Sequence, residues 1–217
     1  MLVQHPSHIF KFDFRPRVET ENYRCLSVFD AQQPFGSLIA FDDETFAPQH
    51  QQEYTIEEEQ TFVLLPLVGG MNIAFSNTSK FIHSNQIFAF TMKKGMSFSI
   101  TNPYEEELVN FLQFRLTSKL PTTISKDFDL KTRNGLNSLV KTKNFTISVG
   151  IFDSRKEEEY TLKSGSKGIF TYVIKGAFEF QNRLLEDRDA LSIWEIENIE
   201  LESLVENSIL LLLEIIE

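Results

Sequence analysis

Short apolar runs set the rhythm of this chain. TFVLLPL, MNIAF and QIFAFTM follow one another across short polar or glycine-bearing turns, and the same rhythm returns later in GIFTYVIK and AFEF. Runs of this length cover one pleated surface, whereas an amphipathic helix would repeat its apolar positions at a 3.6-residue period over a longer span. The chain therefore reads as all-β. Phenylalanine supplies 21 residues and glycine only 9, which gives the strands bulky side chains to bury. The pattern predicts strands at 9–15, 37–42, 61–67, 71–76, 86–92, 96–101 and 108–116, then at 145–152, 168–175, 177–181, 190–193, 199–204 and 208–216. In the first of these, Phe10, Phe12 and Phe14 alternate with Lys11, Asp13 and Arg15, the signature of a half-buried strand. Pro66 cannot donate to a ladder, so it should sit at an edge or a bulge.

The two halves resemble each other. TFVLLPLVGGMNIAF and GIFTYVIKGAFEF each lead into a polar turn, a strand pair and a closing apolar strand. Two copies of one β-barrel unit account for this order. The polar stretch after Leu116, with Pro121 and Gly135, reads as the connection. The expected division is a first barrel at 1–118, a connection at 119–134 and a second barrel at 135–217.

Charge and cysteine usage narrow the function classes. With 21 Lys+Arg against 31 Asp+Glu the formal charge is -10, which repels phosphate backbones and anionic membrane surfaces. No nucleic-acid or membrane partner is expected. The single cysteine, Cys25, suits a reducing compartment and a packing role. Without a basic start followed by an apolar stretch, the N-terminus shows no secretory signal, so the cytoplasm is the expected location.

One stretch carries a more specific signal. FGSL at Phe35, Gly36, Ser37 and Leu38 is followed by APQH at Ala47, Pro48, Gln49 and His50, and later by SNQIFAFTMKKGMSFSITN. In order and spacing these segments resemble the pirin and quercetinase-like family of bicupins, a likeness that extends over nearly the whole chain. The resemblance implies two tandem double-stranded β-helix barrels of jelly-roll type. In the family, three histidines and a glutamate hold a metal ion. Counted without gaps from Ala47-Pro48, those positions carry Thr55, Glu57, Ser99 and Thr101 here. Hydroxyls are weak donors for first-row transition ions, so one carboxylate among them makes a poor site. The second half has no histidine, and the four present, His5, His8, His50 and His83, match none of the ligand positions.

The expectation is a non-catalytic bicupin with a degenerate, metal-free site and no cofactor, binding a small molecule or a protein partner through a pocket lined by Thr55, Glu57, Ser99 and Thr101. Strand alternation would aim Glu57 inward beside Thr55. The alternative is a metal-dependent dioxygenase resembling quercetin 2,3-dioxygenase, with unconventional ligands such as Glu57 plus His50. A metal-free isomerase or lyase using Glu57 as base is a third reading.

Overall fold

The computed structural model describes residues 4–29 and 32–216. Apart from a short 3-10 turn at Phe12–Phe14, its regular structure is β-strand. Strand β1 (Ser7–Phe10) is followed by β2 (Arg17–Glu19), β3 (Tyr23–Phe29), β4 (Leu38–Phe46), β5 (Gln51–Thr55), β6 (Gln60–Val68), β7 (Met71–Phe75), β8 (Thr78–Ile82), β9 (Gln86–Met92), β10 (Ser97–Thr101), β11 (Val109–Leu116) and β12 (Ile124–Asp127). Then come β13 (Asn137–Lys141), β14 (Phe145–Phe152), β15 (Glu157–Thr161), β16 (Gly168–Lys175), β17 (Phe178–Phe180), β18 (Leu184–Leu185), β19 (Ala190–Ile193), β20 (Asn198–Ser203) and β21 (Ser208–Ile215). Among the described residues no helix is long and apolar enough to cross a membrane.

The strands form two units with one plan. The first unit, Pro16–Phe128, pairs a seven-stranded sheet ordered β12-β9-β6-β11-β4-β3-β2 with a four-stranded sheet ordered β5-β10-β7-β8. The second, Met1–Arg15 with Asp129–Glu217, has a six-stranded sheet ordered β1-β19-β16-β21-β14-β13 and a four-stranded sheet ordered β15-β20-β17-β18. Adding ten to each label of β9-β6-β11-β4 and β5-β10-β7-β8 reproduces the second unit, so the internal repeat is a repeat of topology. Each unit is a jelly-roll-like pair of sheets around its own core rather than one continuous closed sheet.

The structure moves the expected boundaries. The first strand, expected within a barrel spanning 1–118, pairs with β19 and belongs to the second unit. The expected connection holds a strand, because β12 pairs with β9 on the first unit's edge. Local patterning marks these segments as strand-like but says nothing about which sheet edge each one joins. The first strand is also shorter than residues 9–15. The carboxylate of Asp189 accepts the backbone N–H of Phe12 at 2.9 Å, the chain tightens into its 3-10 turn, and Phe14 is left 86% exposed. Lys11 Nζ meets the same carboxylate at 2.5 Å, Arg15 donates to the carbonyl of Arg188, and the Arg15 guanidinium lies 5.1 Å from the centre of the Tyr172 ring.

Other expectations hold. The register of β6 against β11 shifts beside Pro66, between Asn110 and Phe111, so the missing donor falls at a bulge. Gly69, at φ 72, turns the chain into β7; at Gly70 a side chain would strike the ring of Phe81.

Candidate functional site

The inner face of the first unit is largely hydrocarbon. Phe62, Phe75, Phe90 and Phe98 form one aromatic cluster in which Phe98 lies 4.9 Å from Phe62 and 5.2 Å from Phe90, ring centre to ring centre. Met71, Ile73, Met92, Ile100 and Phe111 belong to the same core. Phe98 and Ile100, both buried, are the inward residues of β10.

That alternation corrects the predicted pocket. In the antiparallel pairing of β10 with β5, Ser97 opposes Thr55, Ser99 opposes Glu53 and Thr101 opposes Gln51, and directly opposed residues share a face. Ser99 and Thr101 therefore lie on the outer face, with Phe98 opposite Tyr54 and Ile100 opposite Gln52 on the inner one. The period of a strand is two, so a one-residue error in a gap-free count turns every side chain to the wrong side. Glu57 is exposed in the bend after β5 instead of aimed inward, and Thr55 reaches only the mouth of the cleft described below. The four residues do not converge. The alternative ligand pair also comes apart: His50 packs against Tyr23 and Phe46 before β5, and Glu57 follows it. Seven residues of mostly extended chain put them on the order of 20 Å apart.

The polar end of the same interior lies deeper. On β4, Ala40, Asp42, Glu44 and Phe46 share the inward face, and two of them are acids. Glu44 is 1% exposed and takes three donors: Tyr54 Oη at 2.8 Å and Tyr23 Oη at 3.1 Å on Oε2, and Gln113 Nε2 at 2.8 Å on Oε1. Asp42 accepts from Ser27 Oγ at 2.6 Å and faces the Arg115 guanidinium at 3.9 Å. Register sets this grouping, since Cys25 and Ser27 of β3 stand opposite Glu44 and Asp42, and Gln113 of β11 stands opposite Asp42.

These residues open onto a cleft of about 310 Å³, lined also by Glu53, Ile56, Gln60 and Phe62. Burial, reinforced by the charge of Asp42, pushes the Glu44 carboxyl up to about 8, which keeps a proton on it at neutral pH. Burial likewise raises Cys25 to about 12, so this thiol is no nucleophile, and it pushes the Tyr54 and Tyr23 phenols above their ordinary range. Burial lowers His50. Three buried polar atoms on the cleft wall have no hydrogen-bond partner: Gln60 Oε1, Gln113 Oε1 and Arg115 Nε.

The sequence carried one sign of this site. Glu53-Tyr54-Thr55 recurs as Glu159-Tyr160-Thr161 on β15, the equivalent strand of the second unit. There Tyr160 Oη donates to the buried carboxylate of Glu214 at 2.9 Å. A tyrosine at one strand position thus meets a buried acid in both units, although the acids come from non-equivalent strands.

The donors do not suit a transition metal. Among the described residues no three His, Cys, Asp or Glu side chains are grouped to hold an ion, and the groups around Glu44 are phenols and a carboxamide that donate hydrogen bonds to it.

Comparison with known proteins gives the chain its relatives. Residues 132–215 match the family described as the quercetinase C-terminal cupin domain. No curated protein sequence matches the chain. Among solved structures, bacterial pirin YhhW from Escherichia coli in complex with nickel(II) superposes with a TM-score of 0.84 at 13% identity, covering 97% of this chain and 99% of that one. Quercetin 2,3-dioxygenase from Acinetobacter baumannii superposes with a TM-score of 0.76 at 12% identity, covering 96% and 85%. GK1651 from Geobacillus kaustophilus gives 0.72 at 15% identity, covering 99% and 97%. The match to that domain family thus falls within the second unit, and the chain as a whole has the bicupin fold of the pirin and quercetinase-like structures.

Proposed function

We propose that this bicupin is a non-catalytic binding protein whose first unit takes a small molecule in the cleft beside Glu44, without a metal ion. One observation carries the reading: the inward positions of β10 and its neighbours hold packed rings and aliphatic side chains, and the groups that donate to the buried Glu44 carboxyl are two phenols and an amide. The nickel(II) of YhhW and the dioxygenase activity named for the Acinetobacter structure belong to those proteins. Neither is carried over, because this donor set offers no imidazole at the inward positions. The half-buried, high-pKa thiol of Cys25 fits a cytoplasmic protein that has no use for a disulfide.

The test is elemental analysis of protein purified without chelators or an affinity tag, with oxygen uptake followed on addition of a flavonol. Substoichiometric nickel, iron, copper, manganese and zinc, with no oxygen uptake, is the expected result. Stoichiometric transition metal, or flavonol-dependent uptake after metal loading, would overturn the reading.

A further inference from the structure

The cleft beside Glu44 has a chemical bias that specifies its ligand. Its deep wall presents two acceptors without a donor, the Oε1 atoms of Gln60 and Gln113, beside the Glu44 carboxyl and the Asp42 carboxylate. Those two glutamines are 9% and 3% exposed. A buried acceptor without a donor is left costly by folding, so a ligand that brings N–H groups recovers the hydrogen bonds that folding leaves unmade. Cationic groups are scarce on this wall. Among the described residues Arg115 is the one cationic side chain lining the cleft, and it is turned toward Asp42. Tyr23 and Tyr54 meet the acid with their hydroxyls, and Ile56 and Phe62 add an apolar side to the cleft.

We infer that this cleft binds a small organic cation with a primary ammonium head and a short apolar or aromatic body, the head donating to Glu44 and the glutamine oxygens and the body lying on Ile56 and Phe62. This inference rests on the metal-free binding function proposed above and names its ligand class. The carboxyl then acts as an exchange site, because an ammonium entering beside Glu44 displaces the proton that burial keeps there. The titratable and charged groups facing Glu44 are Tyr23 and Cys25 from β3, Asp42 from β4, Tyr54 from β5 and Arg115 from β11. Burial holds the phenols and the thiol protonated at neutral pH, which leaves Glu44 as the group that titrates with binding.

Titration calorimetry with three probes of one shape, benzylammonium, benzyl alcohol and benzoate, tests the inference on the full chain. Benzylammonium should bind saturably, at least about tenfold more tightly than either of the others, and Glu44→Gln should remove that preference. In the unmutated protein its affinity should rise about tenfold per unit between pH 6 and pH 7, with a proton released on binding; this holds the test even if the variant fails to fold. Failure of benzylammonium to bind, equal binding of benzyl alcohol or benzoate, or affinity indifferent to pH would overturn the cation assignment and leave the metal-free reading standing. Stoichiometric transition metal in the same sample would instead overturn the reading beneath it.

Discussion

Two buried glutamates, each hydrogen-bonded by the tyrosine of a Glu-Tyr-Thr triplet, show how one scaffold position can be closed or left open. In the second unit, Glu214 is 0% exposed and fully engaged: Tyr160 donates to one oxygen, the backbone N–H of Lys163 to the other at 2.6 Å, and the Lys163 ammonium stands 3.8 Å away. The same ammonium donates to Thr146 Oγ1. In the first unit, Glu44 takes two phenols and an amide, faces a second acid, Asp42, and lines a cleft. A carboxylate with a backbone donor and a lysine is a structural tie. One surrounded by neutral donors and another acid is a place where a proton or a ligand cation has something to do.

The largest expected effect breaks the support beneath Tyr54. Its ring stacks on Phe98 at 5.0 Å, and Phe98 also meets Phe62 and Phe90. Phe98→Ala should cost about 3–5 kcal/mol in urea denaturation and weaken the hold of Tyr54 on Glu44. A loss under about 1 kcal/mol would mean that this interior is already loose.

Next comes the pH response of Glu44. Its carboxyl is raised in the folded state, so between the ordinary carboxylate range and about 8 the folded protein holds a proton that the unfolded chain has lost. Stability contributed by that proton is present at acid pH and falls as pH rises, by up to about 1.4 kcal/mol per unit. Glu44→Gln should flatten this fall when denaturation is measured from pH 5 to pH 8. An unchanged slope would show that Glu44 is ionised in the folded protein. Lys163→Met sharpens the comparison from the other side. Removing the counter-charge of Glu214 should cost about 1–3 kcal/mol in the same denaturation measurement.

The fold was legible because alternation and turn residues act locally: the strands from Thr61 to Leu116, the bulge at Pro66 and the repeat all follow from patterns within a few residues. The site was less legible for two physical reasons. Inward and outward faces differ by a single residue, so a count carried across the turns put Ser99 and Thr101 where Phe98 and Ile100 stand. The acidic run Asp42-Asp43-Glu44 looks like a strand end, yet β4 continues through it to Phe46 because side chains from β3, β5 and β11 satisfy the acids. Those partners are distant in sequence, as is the edge that β1 joins, and local patterning cannot name them.

The smallest effect lies on the outer faces of the same two sheets. Glu53 opposes Ser99 in the first unit, while its counterpart Glu159 opposes Glu200 in the second, where Glu157 and Glu179 also both oppose Glu202. Like charges directly across a strand pair cost about 0.2–1 kcal/mol, and only part of this is relieved here, by the Arg155 contact to Glu202 at 3.2 Å. Glu200→Ser should therefore stabilise the second unit by about 0.5 kcal/mol at low salt, and Ser99→Glu should destabilise the first by a similar amount. Both effects should shrink as salt shortens the range of the repulsion. If the two swaps fail to mirror each other at low ionic strength, cross-strand repulsion is not what distinguishes the two faces, and the carboxylates of the second unit are held apart by geometry that the strand register alone does not describe.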